Sequence, residues 1–152
     1  MLKKIAVVML MSFVTVGCAS VTMASKEETN QAKQFTTPPA GKAGIYIYRD
    51  SMLGAALKKD VTINGKCIGE TAPNMFFYEQ VNGNEVYTLA TESEFSPNEL
   101  KLKAESGTNY FVRQSIKLGA FVGGANLDMM TPEQGKADVA KLNMGVKGSC
   151  SK

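Results

Sequence analysis

Residues 61–68 read VTINGKCI, which places the dipeptide Asn64-Gly65 between two short apolar runs. The central residues of a tight hairpin turn need positive φ, which Asn and Gly adopt more readily than other residues. The stretch therefore predicts two short antiparallel strands joined by this turn. It also favours a fold built from short strands and tight turns on either side of it.

Five further strand candidates lie around this hairpin. Ile and Tyr alternate at 45–48, which is typical of a strand covered on both faces, whereas Leu100 and Leu102 alternate with lysines, as in a strand with one face in water. The five candidates are 45–48, 75–78, 85–90, 100–104 and 109–116, in a chain punctuated by Asn82-Gly83 and Ser106-Gly107. With the hairpin they make seven short strands, which is the pattern of a β-sandwich or a small barrel.

One helix is predicted near the C-terminal end of the chain. Thr131 can cap its N-terminus, Pro132 suits its first position, and Gln134 would complete a capping box. The helical pattern runs to about Leu142, although Gly135 weakens it. The predicted fold class is therefore mainly β, a single β-sandwich or small barrel of about seven strands with one C-terminal helix, in one domain over 41–152.

The N-terminal segment carries an export signal. Lys3 and Lys4 precede a 12-residue apolar stretch at 5–16. A bilayer core of about 30 Å needs roughly 20 apolar residues to be spanned, so this stretch is too short. Its length is that of the apolar region of a signal peptide, and residues 1–17 are interpreted as one.

Cys18 follows this apolar stretch after one residue, Gly17. The arrangement resembles the lipobox of bacterial lipoproteins, with Thr15 in place of the usual Leu. The resemblance implies lipidation of Cys18 and anchoring by acyl chains, palmitate among them. Because Ala19 rather than Asp follows the cysteine, it favours the outer membrane. The alternative is ordinary secretion, with cleavage at one of the small residues nearby.

The polar segment after Cys18 predicts a flexible tether over 18–40, because its composition buries too little apolar surface to offset chain entropy. A random coil of this length spans roughly 25 Å, enough to hold the domain clear of the membrane. A short helix near 25–33 is the alternative.

Composition excludes several function classes. The chain has no His and no Trp. The first absence removes Ser-His and Cys-His nucleophile pairs and most zinc and copper sites. Lys plus Arg is 17 and Asp plus Glu is 14; without Lys3 and Lys4 the balance is 15 minus 14, or +1, so nothing favours nucleic acid. We therefore predict no catalytic residues, no metal site and no cofactor.

Two patterns leave chemistry open as an alternative. Ser149 to Lys152 matches the S-x-x-K spacing of penicillin-binding enzymes, but at the chain terminus, where fraying is expected. Glu92 and Glu94 are close enough in sequence to share a strand face, and they are interpreted as solvated charges. A hydrolase using a Ser-Lys or carboxylate site is the least favoured hypothesis; a periplasmic small-ligand carrier, which would need a deep apolar pocket, is the other alternative.

A possible contact surface is predicted around Arg113 and a glycine-rich loop. Arg113 interrupts an apolar strand candidate, and a solvent-facing, a paired semi-buried and an anion-binding position all remain open for it. The loop, 119–125, lacks the pattern of a phosphate-binding loop and instead indicates close backbone approach. The residues assigned to this surface are Arg113, Gly119, Phe121, Gly123 and Gly124.

The cysteine count predicts a disulfide. The chain has three cysteines, and lipidation of Cys18 would leave Cys67 and Cys150 as a pair in the oxidising periplasm. The bridge would close a loop of 150 − 67 + 1 = 84 residues, for which chain entropy alone gives about 4–5 kcal/mol.

Three segments carry a wider resemblance: GKAGIYIYR at 41–49, VTINGKCIGE at 61–70 and YFVRQSIKLGAFVGGANL at 110–127. Together they resemble the DUF2846 family of bacterial lipoproteins over roughly 41–142, and the middle segment is also similar to PEGA-type sandwich repeats. The resemblance implies a β-sandwich and an envelope location, and it transfers no catalytic residue.

The expected function is that of a non-catalytic outer-membrane lipoprotein facing the periplasm, or a soluble periplasmic protein if Cys18 is not acylated. Its expected partners are the membrane, through the lipid, and an envelope protein or glycan.

Overall fold

The computed structural model describes residues 17–151. The chain forms two short helices and nine strands within that range. In chain order they are α1 (Lys26–Ala32), β1 (Lys42–Arg49), β2 (Lys59–Ile63), β3 (Lys66–Thr71), β4 (Met75–Asn82), β5 (Glu85–Thr91), β6 (Asn98–Ala104), β7 (Asn109–Lys117), β8 (Gly124–Met130), α2 (Pro132–Val139) and β9 (Asn143–Met144).

The strands form two sheets that pack face to face as a sandwich. The five-stranded sheet has the order β8-β7-β1-β4-β9, and the four-stranded sheet has the order β3-β2-β5-β6. All seven predicted strands are present, and the sandwich alternative of the predicted fold class is confirmed. Two strands were missed in the sequence: β8, which follows the glycine-rich loop, and the two-residue β9.

The core between the sheets is built from alternate residues of each strand, because side chains along a strand point to opposite faces. Ile45 and Ile47 of β1 pack there with Val61, Phe77 and Val112. Burial of these apolar side chains, each worth about 1.5–3 kcal/mol, is the main term holding the sheets together.

A second apolar cluster covers the outer face of the five-stranded sheet. Tyr46 and Tyr48 point to this face and pack with Phe76, Phe111 and Val139. Val139 comes from α2, which lies across β7. Strand β1 is thus buried on both faces, as its alternation of Ile and Tyr predicts.

The Asn-Gly hairpin forms as expected. Asn64 and Gly65 both have positive φ, 49° and 74°, and β2 pairs antiparallel with β3 across the turn. The second dipeptide, Asn82-Gly83, behaves differently: β4 and β5 belong to different sheets, so this turn carries the chain across the sandwich.

Helix α2 begins where the sequence predicts. Thr131 is its N-cap and accepts a hydrogen bond from the Gln134 backbone N–H. The predicted capping box is wrong, because the Gln134 side chain bonds to Asp138 at 2.7 Å instead of reaching back to the cap. The helix also ends at Val139, three residues before the predicted end at Leu142.

The prediction of a flexible tether over 18–40 is wrong for most of this segment. Ser25 starts α1 with a complete capping box to Glu28, so the helix alternative near 25–33 describes it better. Before the helix, Ala24 N–H bonds to the Met144 carbonyl at 2.8 Å and Thr22 accepts from Val146 N–H at 2.9 Å. These partners come from the C-terminal part of the chain, which is why local composition did not reveal them.

The predicted disulfide between Cys67 and Cys150 is present, with a Cα–Cα distance of 6.1 Å. It ties the C-terminal segment, the residues 145–151 after β9, to β3. Glu70 N–H of β3 also bonds to the Ser149 carbonyl at 2.9 Å. The C-terminal segment is therefore an integral part of the domain.

Candidate functional site

Three loops lie together at one end of the sandwich: 50–58 after β1, 92–97 after β5 and 118–123 after β7. Strands β1 and β7 are parallel neighbours, so they finish at the same edge. The loop after β5 lies at the same edge, because the Glu92 carbonyl at its start accepts a hydrogen bond of 2.9 Å from Ala125 N–H, just after the third loop. We call this edge the loop end.

Arg49 fixes the first loop from inside. Its guanidinium is fully buried and donates to three backbone carbonyls, those of Leu57 at 2.7 Å, Gly54 at 2.8 Å and Leu53 at 3.2 Å. Loss of hydration lowers the pKa of Arg49 from its ordinary value. The side chain therefore holds the loop in place. Its only signal in the sequence is a charge at the end of an apolar strand.

Glu94 fixes the glycine-rich loop. Its carboxylate accepts hydrogen bonds from Ala120 N–H at 2.9 Å and from Phe121 N–H at 2.7 Å. Glu94 is partly exposed, so its carboxylate keeps contact with solvent while it also holds this loop, a role that the interpretation as a solvated charge did not include. A Cβ at Gly119 would overlap the Val122 carbonyl oxygen and lie 2.5 Å from the Glu94 carboxylate. The close backbone approach predicted for this loop is therefore confirmed at Gly119.

Large apolar side chains project into solvent from all three loops. Phe95, Leu118 and Phe121 are 85%, 84% and 86% exposed, which is unusual for side chains of this size. About half of the surface of Met52, Leu53 and Val122 is also exposed. We call the six side chains the apolar loop patch: Met52, Leu53, Phe95, Leu118, Phe121 and Val122.

Cys18 is located beside the first of these loops. Its thiol is free and exposed. The next residue, Ala19, donates its backbone N–H to the Ala55 carbonyl at 2.7 Å. The preceding part of the predicted signal peptide, 1–16, lies outside the described residues.

Arg113 does not share a surface with the glycine-rich loop. It sits in the middle of β7 on the outer face of its sheet, opposite Tyr48 of β1 and Asp128 of β8. The side chain is half-buried, and its Nε is buried without a hydrogen-bond partner in the part of the chain described. The single contact surface predicted from Arg113, Gly119, Phe121, Gly123 and Gly124 therefore divides into two places. Gly123 and Gly124 remain with the loop, although Gly124 is buried.

A polar group lies under α2 close to Arg113. Tyr48 donates its hydroxyl to the Asp138 carboxylate at 2.7 Å, and both residues are buried. Burial, together with this bond to Asp138, raises the pKa of the Tyr48 phenol. Asp138 also accepts from Gln134 at 2.7 Å, so its oxygens are engaged in holding α2 on the sheet.

The Ser-Lys pattern at the C-terminus lies only partly within the described residues. Ser149 is exposed in the C-terminal segment, and Lys152 falls outside the described residues. Asp60, which neighbours Glu92, accepts from Ser151 N–H at 3.0 Å and from its hydroxyl at 2.8 Å. Within 17–151, no three Cys, Asp or Glu side chains are grouped closely enough to bind a metal ion.

Three surface clefts of about 450, 400 and 320 Å³ open to solvent. The first is lined by Val21, Lys58 and Val146, close to Cys18. The second lies between α1 and Tyr78, and the third runs beside Glu94 and Phe95. Over the described range, no helix is both long enough and apolar enough to cross a bilayer.

Comparison with known proteins gives two matches. Residues 39–125 match the model of a family described as protein of unknown function (DUF2846). An uncharacterised protein of Haemophilus influenzae is 55% identical over 130 residues, which cover 86% of this chain and 77% of that protein. No solved structure matches. The family match spans β1 to the beginning of β8 and so includes all three loops of the loop end.

Proposed function

The chain belongs to the DUF2846 family of proteins of unknown function, and from this premise we propose that it is an acylated envelope lipoprotein whose sandwich works by binding. The anchor is Cys18, and the domain faces the periplasm from the outer membrane. Its partner is an envelope protein or a glycan. Catalysis plays no part in this proposal.

The observation that carries the proposal is the state of the three cysteines. Cys67 and Cys150 are joined, whereas Cys18 is free and exposed at the start of the domain. A thiol in that position is accessible to a modifying enzyme. Cys18 also lies one residue beyond the apolar stretch at 5–16, where an acylated cysteine is expected.

The disulfide supports an extracytoplasmic compartment. Structural disulfides form and persist in oxidising compartments and are rare in the reducing cytosol. This bridge joins positions 83 residues apart in the sequence and fastens the C-terminal segment to β3. A domain that uses such a bridge is suited to the periplasm.

The hydrogen bonds of three charged side chains, two of them buried, support binding over catalysis. Catalytic groups need free lone pairs or protons directed at a substrate. Glu94 is engaged by two backbone N–H groups, Asp138 by Tyr48 and Gln134, and Arg49 by three carbonyls. These side chains serve the fold, which leaves surface contact as the function that the domain supports best.

The test of the anchor is fractionation and intact mass. We expect the mature protein to remain with the membrane fraction and to carry the mass of acyl chains on Cys18, and Cys18→Ala to be released or to accumulate as precursor. Cys67→Ser and Cys150→Ser together serve as the control, because they also change cysteines but should leave membrane association intact. A mature wild-type protein with an unmodified Cys18 thiol would refute the proposal.

The test of the binding role is turnover. We expect purified protein to leave peptidoglycan and ester substrates unchanged while it retains partners from native envelopes. Reproducible turnover that is abolished by a single Ser, Asp or Glu substitution would replace this role with a hydrolase.

A further inference from the structure

The apolar loop patch concentrates the exposed apolar surface of the domain at one end. Among residues 17–151, ten large apolar side chains are exposed, and six of them belong to this patch. Single exposed apolar residues are ordinary, but a cluster of this size usually marks a contact with another apolar surface. The patch therefore calls for a specific occupant.

The loops that carry the patch are held in place from beneath. Arg49 holds the first loop by donating hydrogen bonds to three of its backbone carbonyls. Glu94 holds the third loop by accepting from two consecutive backbone N–H groups. Gly123 brings the third loop against the first, since a Cβ there would lie 2.5 Å from Leu57. The fold thus holds the loops with these apolar side chains exposed. Little conformational entropy is therefore lost when the patch makes a contact.

The path of the residues after Cys18 indicates what contacts the apolar loop patch. Ala19 is bonded to Ala55, two residues from Leu53 of the patch. From there the chain runs away along the C-terminal segment, through the bonds of Thr22 and Ala24, to α1. It reaches the opposite end of the sandwich where Phe35 accepts from Asn109, the first residue of β7, at 3.2 Å.

We propose that the apolar loop patch is a membrane-contacting surface that inserts into the bilayer in which Cys18 is anchored. This inference rests on the proposed acylation of Cys18. Because 19–24 is packed on the domain, acyl chains on Cys18 would leave the protein beside Leu53, and the loop end would face the lipid. Phe, Leu, Met and Val side chains at this edge enter the interface, and the remaining surface faces the periplasm.

The chain has no Trp, so single substitutions give site-specific fluorescent reporters. Phe121→Trp and Phe95→Trp place a reporter in the patch. Val86→Trp is the matched control, because Val86 is 61% exposed and apolar but lies at the other end of β5 from the patch. Each acylated, full-length mature variant is reconstituted into vesicles of phosphatidylethanolamine and phosphatidylglycerol, with or without brominated acyl chains.

We expect Phe121→Trp and Phe95→Trp to shift their emission to shorter wavelength in vesicles and to be quenched by brominated lipid, while Val86→Trp shows neither change. Equal, solvent-like emission from all three reporters would overturn the proposal. So would a concentration-dependent shift of the patch reporters in detergent-free solution of the unacylated protein, because that result would make a second copy the occupant.

The two proposals can be separated. If intact mass shows no acyl chain on native Cys18, the proposed function fails, and the same reporters are then coupled through the Cys18 thiol to a maleimide phospholipid in the vesicles. Insertion of the patch under this synthetic anchor would still support the membrane-contacting surface. If the patch inserts neither with acyl chains on Cys18 nor with the maleimide phospholipid, the membrane-contacting surface is refuted and the proposed function is not affected.

Discussion

The backbone N–H of Ala19 donates a 2.7 Å hydrogen bond to the carbonyl of Ala55. This contact fixes the first residue after Cys18 against the loop that follows β1. It converts a segment of tether-like composition into part of the domain, and so determines which end of the sandwich is nearest Cys18.

The packing of the N-terminal segment predicts a pattern of hydrogen exchange. We expect the amides of Ala19 and Ala24 to exchange slowly, because both donate to carbonyls of the folded domain. Exposed Ser96, in the loop after β5, serves as an unprotected reference. The measurement is hydrogen exchange by NMR or mass spectrometry on unacylated protein. If the amides of 19–24 exchange as fast as that of Ser96, the segment is a flexible tether after all.

Replacement of Arg49 should cost more stability than replacement of the only other arginine. Arg49→Met leaves three partly buried backbone carbonyls without their donor, at about 1–3 kcal/mol for a lost partner. Arg113→Met changes a half-buried side chain and should cost less than about half as much. Chemical denaturation gives the free energy of unfolding of both variants. Equal losses of stability would show that Arg49 does not hold the loop in place.

Glu94→Gln should loosen the glycine-rich loop without unfolding the domain. An amide presents one acceptor oxygen in place of two, so either Ala120 N–H or Phe121 N–H loses its partner. We expect faster hydrogen exchange at these two amides. Glu99→Gln, on an exposed position of β6, is the matched control and should leave exchange there unchanged. Unaltered exchange in Glu94→Gln would mean that the loop is held by other contacts.

Removal of the disulfide should lower stability by up to about 4–5 kcal/mol, since the unbridged unfolded chain regains the entropy of a loop of 84 residues. Cys67→Ser with Cys150→Ser is compared with reduced wild-type protein by thermal unfolding. The two should fall to similar stability, because they lack the same link. A double variant as stable as the oxidised protein would contradict this expectation.

Alkaline pH should destabilise the domain through its buried tyrosines. Burial is the first cause that raises the pKa of Tyr46 above its usual value of 10.0, and the raised pKa of Tyr78 has the same first cause. A pKa raised in the folded state means that the unfolded state loses its proton first. The contribution is therefore fully present below about pH 10 and is lost as the pH rises above it.

Tyr46→Phe provides the comparison for this pH dependence. The variant loses the hydroxyl that donates to the Ala32 carbonyl at 2.8 Å, so its stability at neutral pH should fall. Its further loss between pH 9 and about 11 should be smaller than that of the wild type, because one titrating group is gone. Parallel curves from thermal unfolding would exclude Tyr46 as a cause.

Sequence reasoning found those parts of the fold that depend on neighbouring residues. The β2–β3 hairpin was evident because Asn64 and Gly65 supply the positive φ that the turn needs. Strand β9 was missed because its two residues, Asn143 and Met144, carry no alternation of their own. They become a strand only by pairing with Met75 and Phe76.

The candidate site was predicted only in part. Gly119 and Phe121 were identified from the run of glycines, but Arg113 was grouped with them although it lies mid-strand beside Tyr48. Glu94 and Arg49 were missed as loop supports because each acts on backbone atoms of another segment. Glu94, for example, contacts a residue 27 positions away.

By itself the sequence determined the class of fold and the parity that pairs Cys67 with Cys150. These follow from periodicity, composition and counting, which need no knowledge of distant neighbours. Only the tertiary structure decided that Asn82-Gly83 crosses between sheets, that 19–34 is packed, and that Cys18 lies beside the apolar loop patch. Each of those outcomes is set by contacts between residues far apart in the chain, whose free energy exceeds the local preference of the segments they join.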